Sequence, residues 1–205
     1  MATKVDQPKT RILVLHGFYD SAENRQHQMR SLIRSMKDIE FIFINSPFPF
    51  VDYGFLKSFD NTSNEQRYQW CSYNPEWPVT NYNYDTIQES IEYVVNYIDH
   101  NGPFHGLLGF SQGAIFIILI GCPPINDPNI KPILETLNTQ NQSVPSLHIS
   151  GINDTLISTE MSESLFKYFN SSLAEFYKHK GGHYCPSDSD FRQKLRDFIQ
   201  RANHS

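Results

Sequence analysis

One stretch decides the fold of this chain: Gly106-Leu107-Leu108-Gly109-Phe110-Ser111-Gln112-Gly113-Ala114. Its apolar residues lead into a serine that lies between two glycines in the pattern Gly-x-Ser-x-Gly. Where this pattern forms a tight strand-to-helix turn, strained backbone angles lift the serine hydroxyl clear of the sheet, and a side chain at either glycine would collide with backbone. The stretch therefore predicts a buried strand, a strained turn and the start of a helix, with Ser111 as a candidate nucleophile.

The residues before this stretch predict alternating strands and helices. Residues 11–18 hold four consecutive apolar residues and then His16-Gly17, which is typical of a buried strand that ends in a turn. Residues 41–44 predict a second buried strand. Between them lies an apolar stripe at helical spacing, with Ser21 as a candidate N-cap: Met29, Leu32, Ile33 and Met36. Strand, helix and strand at short spacing indicate a parallel sheet covered by helices.

The later part of the chain continues this alternation. A helix is predicted before the serine strand, with one apolar face formed by Ile87, Ile91, Val94, Val95 and Ile98. Two further strands are predicted at 146–150 and 174–179, with helices around 161–169 and 191–199. No internal repeat and no domain linker interrupts the pattern, so residues 1–205 are predicted to form a single α/β domain.

Residues 46–84 do not follow the alternation. They hold four of the twelve prolines and both tryptophans, with no sustained strand or helix period. A loop this long is usually functional or disordered. Its aromatic residues favour either an ordered flap or substrate wall at the active site, or a loop packed against the body of the protein: Phe48, Phe50, Phe55, Phe59, Trp70 and Trp77. The sequence leaves both interpretations open.

Composition and charge exclude several classes of protein. The net charge is −5, with no cluster of Lys and Arg, which argues against a nucleic-acid partner or an anionic membrane surface. No apolar run approaches the roughly 20 residues that span a bilayer, so we expect no stable membrane anchor. Residues 1–11 lack the apolar core of a secretory signal. The three cysteines are odd in number and lack metal-ligand spacing, so reduced thiols in a cytoplasmic protein without a metal are expected.

A serine hydroxyl needs a base to remove its proton, and the base needs a carboxylate to hold its tautomer. Ser111, Asp154 and His183 each follow a predicted strand, in the order nucleophile, acid, base. Of the eight histidines, only His183 follows a glycine pair after the last strand, where a loop can bring an imidazole to the serine. The alternative role for Asp154 is an N-cap of the next helix. A cysteine nucleophile paired with a histidine is a weaker alternative.

Two backbone N–H groups are candidates for stabilising an oxyanion. The Gln112 N–H lies at the start of the helix after the serine, and the Phe18 N–H lies in the turn after the first strand. His16 is expected to fix that turn by hydrogen bonding and not to transfer protons. Three aromatic residues are the candidate substrate-binding residues, on the turn and in the 46–84 loop: Tyr19, Phe48 and Trp70.

The sequence resembles the family serine hydrolases (FSH) of the α/β-hydrolase superfamily. The resemblance covers residues 10–200 and is carried by Leu15-His16-Gly17-Phe18, residues 106–114, Leu147-His148-Ile149-Ser150-Gly151, Asp154 and Gly181-Gly182-His183. It implies an α/β-hydrolase fold, with a mostly parallel sheet and helices on both faces. It also implies a cofactor-free hydrolase of small-molecule carboxylic esters or thioesters, with medium to long acyl chains expected. Ser111, Asp154 and His183 stand at the family's triad positions.

One departure from the family pattern follows the candidate nucleophile. Asp154 comes only 43 residues after Ser111, too few for a full helix, a core strand, a connection and a second strand. Residues 115–120 are therefore either the next core strand, with the body of the helix lost, or a shortened helix, with the strand lost. Either loss would remove packing beneath Ser111 and lower the stability of the fold. The rival hypothesis is a non-catalytic α/β-hydrolase-like binding protein.

Overall fold

The computed structural model describes residues 9–50, 65–71, 86–116, 119–120, 145–169 and 172–202. In this part of the chain, six strands form one sheet in the order β2-β1-β5-β6-β7-β8, and every neighbouring pair is parallel. The strands are β1 (Thr10–Leu15), β2 (Ile39–Ile44), β5 (Gly106–Phe110), β6 (Leu119–Ile120), β7 (Ser146–Gly151) and β8 (Ala174–His179). The parallel sheet predicted from the sequence is confirmed.

Helices connect the strands. They are α1 (Ala22–Gln28), α2 (Arg30–Ser35), α3 (Ile87–Asn101), α4 (Thr159–Phe166) and α5 (Ser189–Ala202). A 3₁₀ helix covers Ser111–Phe116, directly after β5. In a parallel sheet the carboxyl ends of all strands lie at one edge, so the residues that follow β1, β5, β7 and β8 are brought together there.

The two faces of the sheet bury two separate apolar clusters. On one face, alternate residues of β1, β5 and β7 pack against the C-terminal helix α5, through Phe191, Leu195 and Phe198, and against Met29, Leu32 and Met36. On the other face, Leu13 and Leu15 of β1 pack with Trp70 and with α3. Such alternation follows from the two-residue period of a strand. Helices therefore cover both faces, as predicted.

Several details differ from the sequence-based expectation. The first predicted helix is divided into α1 and α2 at Met29, although backbone hydrogen bonds from Met29 to Arg25 and from Ile33 to Met29 continue across the break. Ser21 is the N-cap of α1, as predicted, because its hydroxyl accepts from the Asn24 N–H. Val95 was expected on the buried face of α3, but it is 50% exposed.

The 46–84 segment also holds regular structure that its sequence did not predict. A two-stranded antiparallel hairpin pairs β3 (Phe48–Pro49) with β4 (Tyr68–Gln69). An isolated bridge between Asp20 and Tyr68 joins this hairpin to the turn after β1. Phe55, Phe59 and Trp77 lie outside the described residues, so the flap interpretation of the whole segment stays a prediction.

The segment after Ser111 combines both alternatives left open by the sequence. Residues 111–116 form a short 3₁₀ helix, and Leu119–Ile120 then pair with β5 on one side and with β7 on the other. The sheet is therefore continuous from β5 to β7, but the strand between them has two residues and the helix has about two turns. Residues 121–144 lie outside the described part.

Candidate active site

The turn at Ser111 has the strained geometry that the sequence predicts. Ser111 has a φ of +50°, in the left-handed region that residues with a side chain seldom adopt. A Cβ on Gly109 would lie 2.2 Å from the carbonyl oxygen of Gly113, and a Cβ on Gly113 would lie 2.3 Å from that of His16. Both distances are far inside van der Waals contact, so only glycine fits at either position. The end of β5 therefore packs directly against the end of β1.

The turn after β1 lies beside the serine. A Cβ on Gly17 would be 3.3 Å from Ser111 Cβ, which places the backbone of Gly17 and its neighbour Phe18 at the nucleophile. Ser111 and Gln112 are the first two residues of the 3₁₀ helix. The two N–H groups predicted to stabilise an oxyanion thus lie on segments that flank Ser111.

His16 holds this turn in place, and its environment opposes a role in proton transfer. Its Nδ1–H donates to the Gly17 carbonyl oxygen at 2.6 Å, and its Nε2 accepts from the Ser46 N–H at 3.1 Å. Burial lowers the pKa of His16 to about 4, outweighing the hydrogen bond to Gly17 and the charge of Asp20, which both raise it. The imidazole is therefore neutral near pH 7 and both of its nitrogens are engaged.

Trp70, predicted as a substrate-binding residue, has a different place in the structure. Its side chain is fully buried, and its indole N–H donates to the His16 carbonyl oxygen at 2.8 Å. Its backbone N–H donates to Gln112 Oε1 at 2.6 Å, and Gln112 Nε2 donates to the Cys71 carbonyl oxygen at 2.8 Å. Trp70 is thus a core residue that ties the hairpin to the serine turn, and the prediction that it lines a substrate pocket is wrong. Its indole contacts the turn after β1 and leaves no exposed surface for a substrate.

Asp154 and His183 meet at the edge of the sheet. His183 Nδ1 lies 2.7 Å from Asp154 Oδ2. Asp154 Oδ1 accepts from the backbone N–H groups of Leu156 and Ile157, both at 2.9 Å, so both carboxylate oxygens have partners. The N-cap of α4 is Ser158, so Asp154 does not serve as the cap that the sequence left open. The Asp154 side chain is 2% exposed and that of His183 is 17% exposed.

Backbone contacts between two loops bring this pair together. The Ile152 N–H donates to the His179 carbonyl oxygen at 2.9 Å, and the Asn153 N–H donates to that of Gly181 at 3.0 Å. A Cβ on Gly151 would lie 2.5 Å from the carbonyl oxygens of Gly181 and Gly182, so the loop after β7 and the loop after β8 pack backbone to backbone.

The imidazole of His183 also contacts the serine strand. Its ring lies 4.9 Å, centroid to centroid, from the ring of Phe110, the residue directly before Ser111. The structure therefore brings the three residues at the predicted triad positions to one edge of the sheet: Ser111 after β5, Asp154 after β7 and His183 after β8. An arrangement of this kind can support acyl transfer through an activated serine.

The remaining predicted substrate-binding residues lie beside the turn after β1 or on the hairpin. Tyr19 has a φ of +52° and is partly buried, and Phe48 is partly buried in β3. Phe50, next to β3, makes edge-to-face contacts with Phe18 at 5.4 Å and with Tyr19 at 4.9 Å. An aromatic cluster of Phe18, Tyr19 and Phe50 thus lies next to the candidate oxyanion site.

Sequence reasoning missed a buried ion pair in the same region. Asp20 and Arg25 have side chains that are each 5% exposed, and Arg25 Nε donates to Asp20 Oδ2 at 2.9 Å. Burial alone would raise the pKa of Asp20, but the Arg25 charge and hydrogen bonds from Asn24 and Ser21 lower it below its ordinary value. The residues are five apart, a spacing that places no pair on one helix face, so no sequence pattern indicates this contact.

Within the described residues, no group of three or more His, Cys, Asp and Glu side chains could hold a metal ion. No helix in that same part of the chain has the length and apolar character needed to cross a membrane.

Cys71 and Cys185 are both free thiols, and burial raises the pKa of each to about 12. Neither is suited to act as a nucleophile near pH 7, because a nucleophilic cysteine needs a lowered pKa.

Curated relatives of this chain include esterases of animals. Esterase CG5412 of Drosophila melanogaster is 34% identical over 211 residues, which covers 94% of this chain and 74% of the relative. Esterase OVCA2 of Danio rerio is 28% identical, and the alignment covers 93% of this chain and 96% of that protein.

Solved structures share the architecture. Arabidopsis thaliana SOBER1 superimposes with a TM-score of 0.62 at 17% identity, over 96% of this chain and 100% of that structure. Zea mays acyl-protein thioesterase 2 gives a TM-score of 0.62 at 15% identity, over 97% of each chain. At these identities the likeness shows the fold alone, which is the α/β-hydrolase fold predicted from the sequence.

The sequence profile described as Serine hydrolase (FSH1) matches residues 5–121 and 115–195. Both matched segments include residues 115–121, the place where the interval between Ser111 and Asp154 is short. The two segments together span most of the sequence. The chain therefore belongs to the FSH1 family of serine hydrolases.

Proposed function

We propose that this protein hydrolyses carboxylic esters or thioesters through an acyl-enzyme on Ser111, with His183 as the general base and Asp154 as the residue that orients it. The observation that supports this most is the contact of His183 with both Asp154 and Phe110, beside a serine held at a φ of +50°. The curated relatives named esterase agree with hydrolysis but leave the bond type open.

The first half-reaction follows from the hydrogen bond at Nδ1. Because Nδ1–H donates to Asp154, the Nε2 of His183 carries a lone pair and can accept the Ser111 proton. Ser111 Oγ then attacks the acyl carbon, and the carbonyl oxygen takes the negative charge. We assign the stabilisation of that charge to the N–H groups of Phe18 and Gln112, at about 3–4 kcal/mol for each donor in comparable enzymes.

Collapse of this intermediate breaks the bond between the acyl carbon and the alcohol oxygen or thiol sulfur. The leaving group takes the proton from His183 Nε2, and the acyl group stays on Ser111. In the second half-reaction a water molecule gives its proton to His183 and attacks the acyl-enzyme. The products are a carboxylic acid and free Ser111, and the proposed reaction consumes only the substrate and one water molecule.

The acyl group is proposed to lie against the aromatic residues beside the turn after β1. Tyr19 and Phe48 keep their proposed substrate-binding role, and Phe50 joins them because its ring contacts both Phe18 and Tyr19. An apolar wall next to the oxyanion site suits medium to long acyl chains, because each buried methylene contributes about 0.8 kcal/mol.

The test is the intact mass of purified protein after treatment with a fluorophosphonate, followed by turnover of p-nitrophenyl esters of graded chain length. We expect one adduct on the wild type and none on Ser111→Ala. Ser164→Ala, which changes an exposed serine of α4, is the matched control and should keep both adduct and turnover. Oxygen and sulfur esters with the same acyl chain then distinguish the two bond types. Folded wild type without an adduct would instead support the binding-protein hypothesis.

A cytoplasmic location is also proposed. It is supported by the two described cysteines, which are free thiols as expected in a reducing compartment. Fractionation of cells that express the full chain would test this, and recovery with secreted or membrane material would overturn it.

A further inference from the structure

We propose that Arg25 is a positioning residue for the hydrolase reaction: its guanidinium, neutralised by Asp20, supports the Phe110 ring against which the imidazole of His183 is held. This inference rests on the proposed function, since it concerns how the base of that reaction keeps its place. It adds to the site a buried ion pair that touches none of the reacting atoms.

The three side chains form a stack that ends at the proposed base. Arg25 Cζ lies 3.6 Å from the centroid of the Phe110 ring, within the range of a close cation–π contact. The Phe110 ring lies 4.9 Å from the His183 ring at an interplanar angle of 51°. Phe110 also lies against the turn after β1, since a Cβ on Gly17 would be 3.1 Å from Phe110 Cδ1. A shift of the Phe110 ring would therefore move a wall of the site.

Asp20 connects the Arg25 guanidinium to the turn that carries the Phe18 N–H. It accepts two hydrogen bonds from Arg25 and further ones from the Ser21 N–H at 2.9 Å and Asn24 Nδ2 at 2.6 Å. Asp20 comes directly after Phe18-Tyr19, and its backbone is bridged to Tyr68 of the hairpin. Arg25 is thus in contact with the turn that carries the Phe18 N–H and with the ring that borders His183.

Burial distinguishes this pair from ion pairs on the surface. Removing two charges from water has a large desolvation cost, so a buried pair is weak support for stability by itself. What the pair provides here is a rigid planar group, held by several hydrogen bonds, under an aromatic ring. We therefore expect its removal to affect catalysis more than stability.

The chain contains a matched control. Arg11 also lies over an aromatic ring, with Cζ 4.7 Å from the centroid of Phe104, and also pairs with a carboxylate, with Nε 3.1 Å from Glu40 Oε2. It additionally donates to the carbonyl oxygens of Asn101 and Pro103. This pair is partly exposed and lies at the start of β1, away from the site.

The experiment compares two charge-neutral double variants by kcat, KM and thermal midpoint on a p-nitrophenyl ester. Asp20→Asn with Arg25→Met removes the buried pair without leaving a single buried charge. We expect kcat to fall about 10²-fold, the loss that a misplacement of about 1 Å can cause, with KM changed less than about threefold. Glu40→Gln with Arg11→Met should leave kcat unchanged, even where it lowers the thermal midpoint.

A double-mutant cycle then tests whether Arg25 acts through Phe110. In a Phe110→Leu background, the Asp20–Arg25 double variant should produce little further loss of kcat, because the ring it supports is gone. Full additivity of the two losses would overturn the proposed route.

The outcomes separate this inference from the proposed function. Wild type without turnover contradicts the proposed function itself. If the wild type is active and the double variant is folded with an unchanged kcat, the positioning role of Arg25 is overturned.

If the double variant does not fold, Arg25→Lys is measured instead. It keeps the charge beside Asp20 but loses the planar stack, and it should lower kcat at least about tenfold, since lysine does not replace arginine at a stacked site. An unchanged kcat in that variant would overturn the inference equally.

Discussion

The serine turn and the junction of Asp154 with His183 lie at the same edge of the sheet, but the two regions differ in where they have space for an added atom and in what depends on hydrogen bonds. At the serine turn, backbone packs on backbone through Gly109 and Gly113, with no space for a side chain. At the junction, backbone also packs closely on backbone at Gly151, but Gly182 has space for a Cβ. Hydrogen bonds join Asp154 to His183, and others join the loop after β7 to the loop after β8.

This difference predicts which substitutions each region tolerates. At the serine turn, a side-chain atom added to either glycine forces the backbone to shift. The shift disturbs the core, because Gly113 packs against the end of β1. A hydrogen-bonded junction can lose one donor or acceptor and keep its shape while it loses its chemistry. We expect substitutions at the glycines of the serine turn to act on folding, and substitutions of the hydrogen-bonding side chains at the junction to act on rate.

The largest expected effect is that of Gly113→Ala. The new methyl group would lie 2.3 Å from the His16 carbonyl oxygen, which only a backbone shift in the core can relieve. We expect a loss of more than about 4 kcal/mol in the free energy of unfolding, measured by urea denaturation. Such a loss is a large fraction of the roughly 5–15 kcal/mol by which an ordinary domain is stable.

Gly182→Ala is the matched control in the junction. A Cβ there would have as its nearest neighbour the Asn153 carbonyl oxygen at 3.4 Å, an ordinary contact. Its expected cost is less than about 1 kcal/mol. Equal losses at Gly113 and Gly182 would contradict the distinction between a steric turn and a hydrogen-bonded junction.

Asp154→Asn should separate chemistry from folding. An asparagine oxygen can still accept from the N–H groups of Leu156 and Ile157, so the loop keeps its shape. The amide N–H₂ would face His183 Nδ1, however, and would favour the tautomer that leaves no lone pair on Nε2. We expect kcat to fall about 10⁴-fold, as in serine proteases, with the thermal midpoint little changed. A loss of tenfold or less would show that Asp154 does not orient the base.

A smaller effect for each residue is expected from pH, through two buried histidines. Burial lowers the pKa of His16, beside the serine turn, to about 4, and it does the same to His148 of β7. The unfolded chain binds protons at these residues below about pH 6.5, whereas the folded protein does not until about pH 4. Stability is therefore full above pH 6.5 and falls as the pH drops from 6.5 to 4, by about 3 kcal/mol for each histidine.

His148→Leu should remove one of these two contributions. The free energy of unfolding, measured by urea denaturation at several pH values, should then fall less steeply between pH 6.5 and 4 than in the wild type. The difference between the two curves isolates His148 from the carboxylates, which titrate in both proteins. Parallel curves would show that His148 is not held neutral by the fold.

Sequence reasoning reached the parallel sheet because the signals were local. Apolar runs at 12–15 and 41–44, and the helical stripes between and after them, each depend on a few neighbouring residues. The hairpin of β3 and β4 was missed because each strand has two residues, too few for a period to be visible, and its pairing joins residues about twenty apart. The exposure of Val95 was missed for a related reason: an apolar residue at the margin of a helix face is buried only if a neighbour covers it.

The amino-acid sequence by itself determined the strained serine turn, because a serine between two glycines carries the steric constraint within five residues. It also determined that Ser111, Asp154 and His183 each follow a strand, in this order along the chain. Only the tertiary structure decided that Trp70 is buried beneath the turn, that Ser111–Phe116 form a 3₁₀ helix and that Leu119–Ile120 form a short strand. It alone placed Arg25 and Asp20 as an ion pair under Phe110. The physical reason is that burial and side-chain contact depend on which distant segments meet, and no local pattern contains that information.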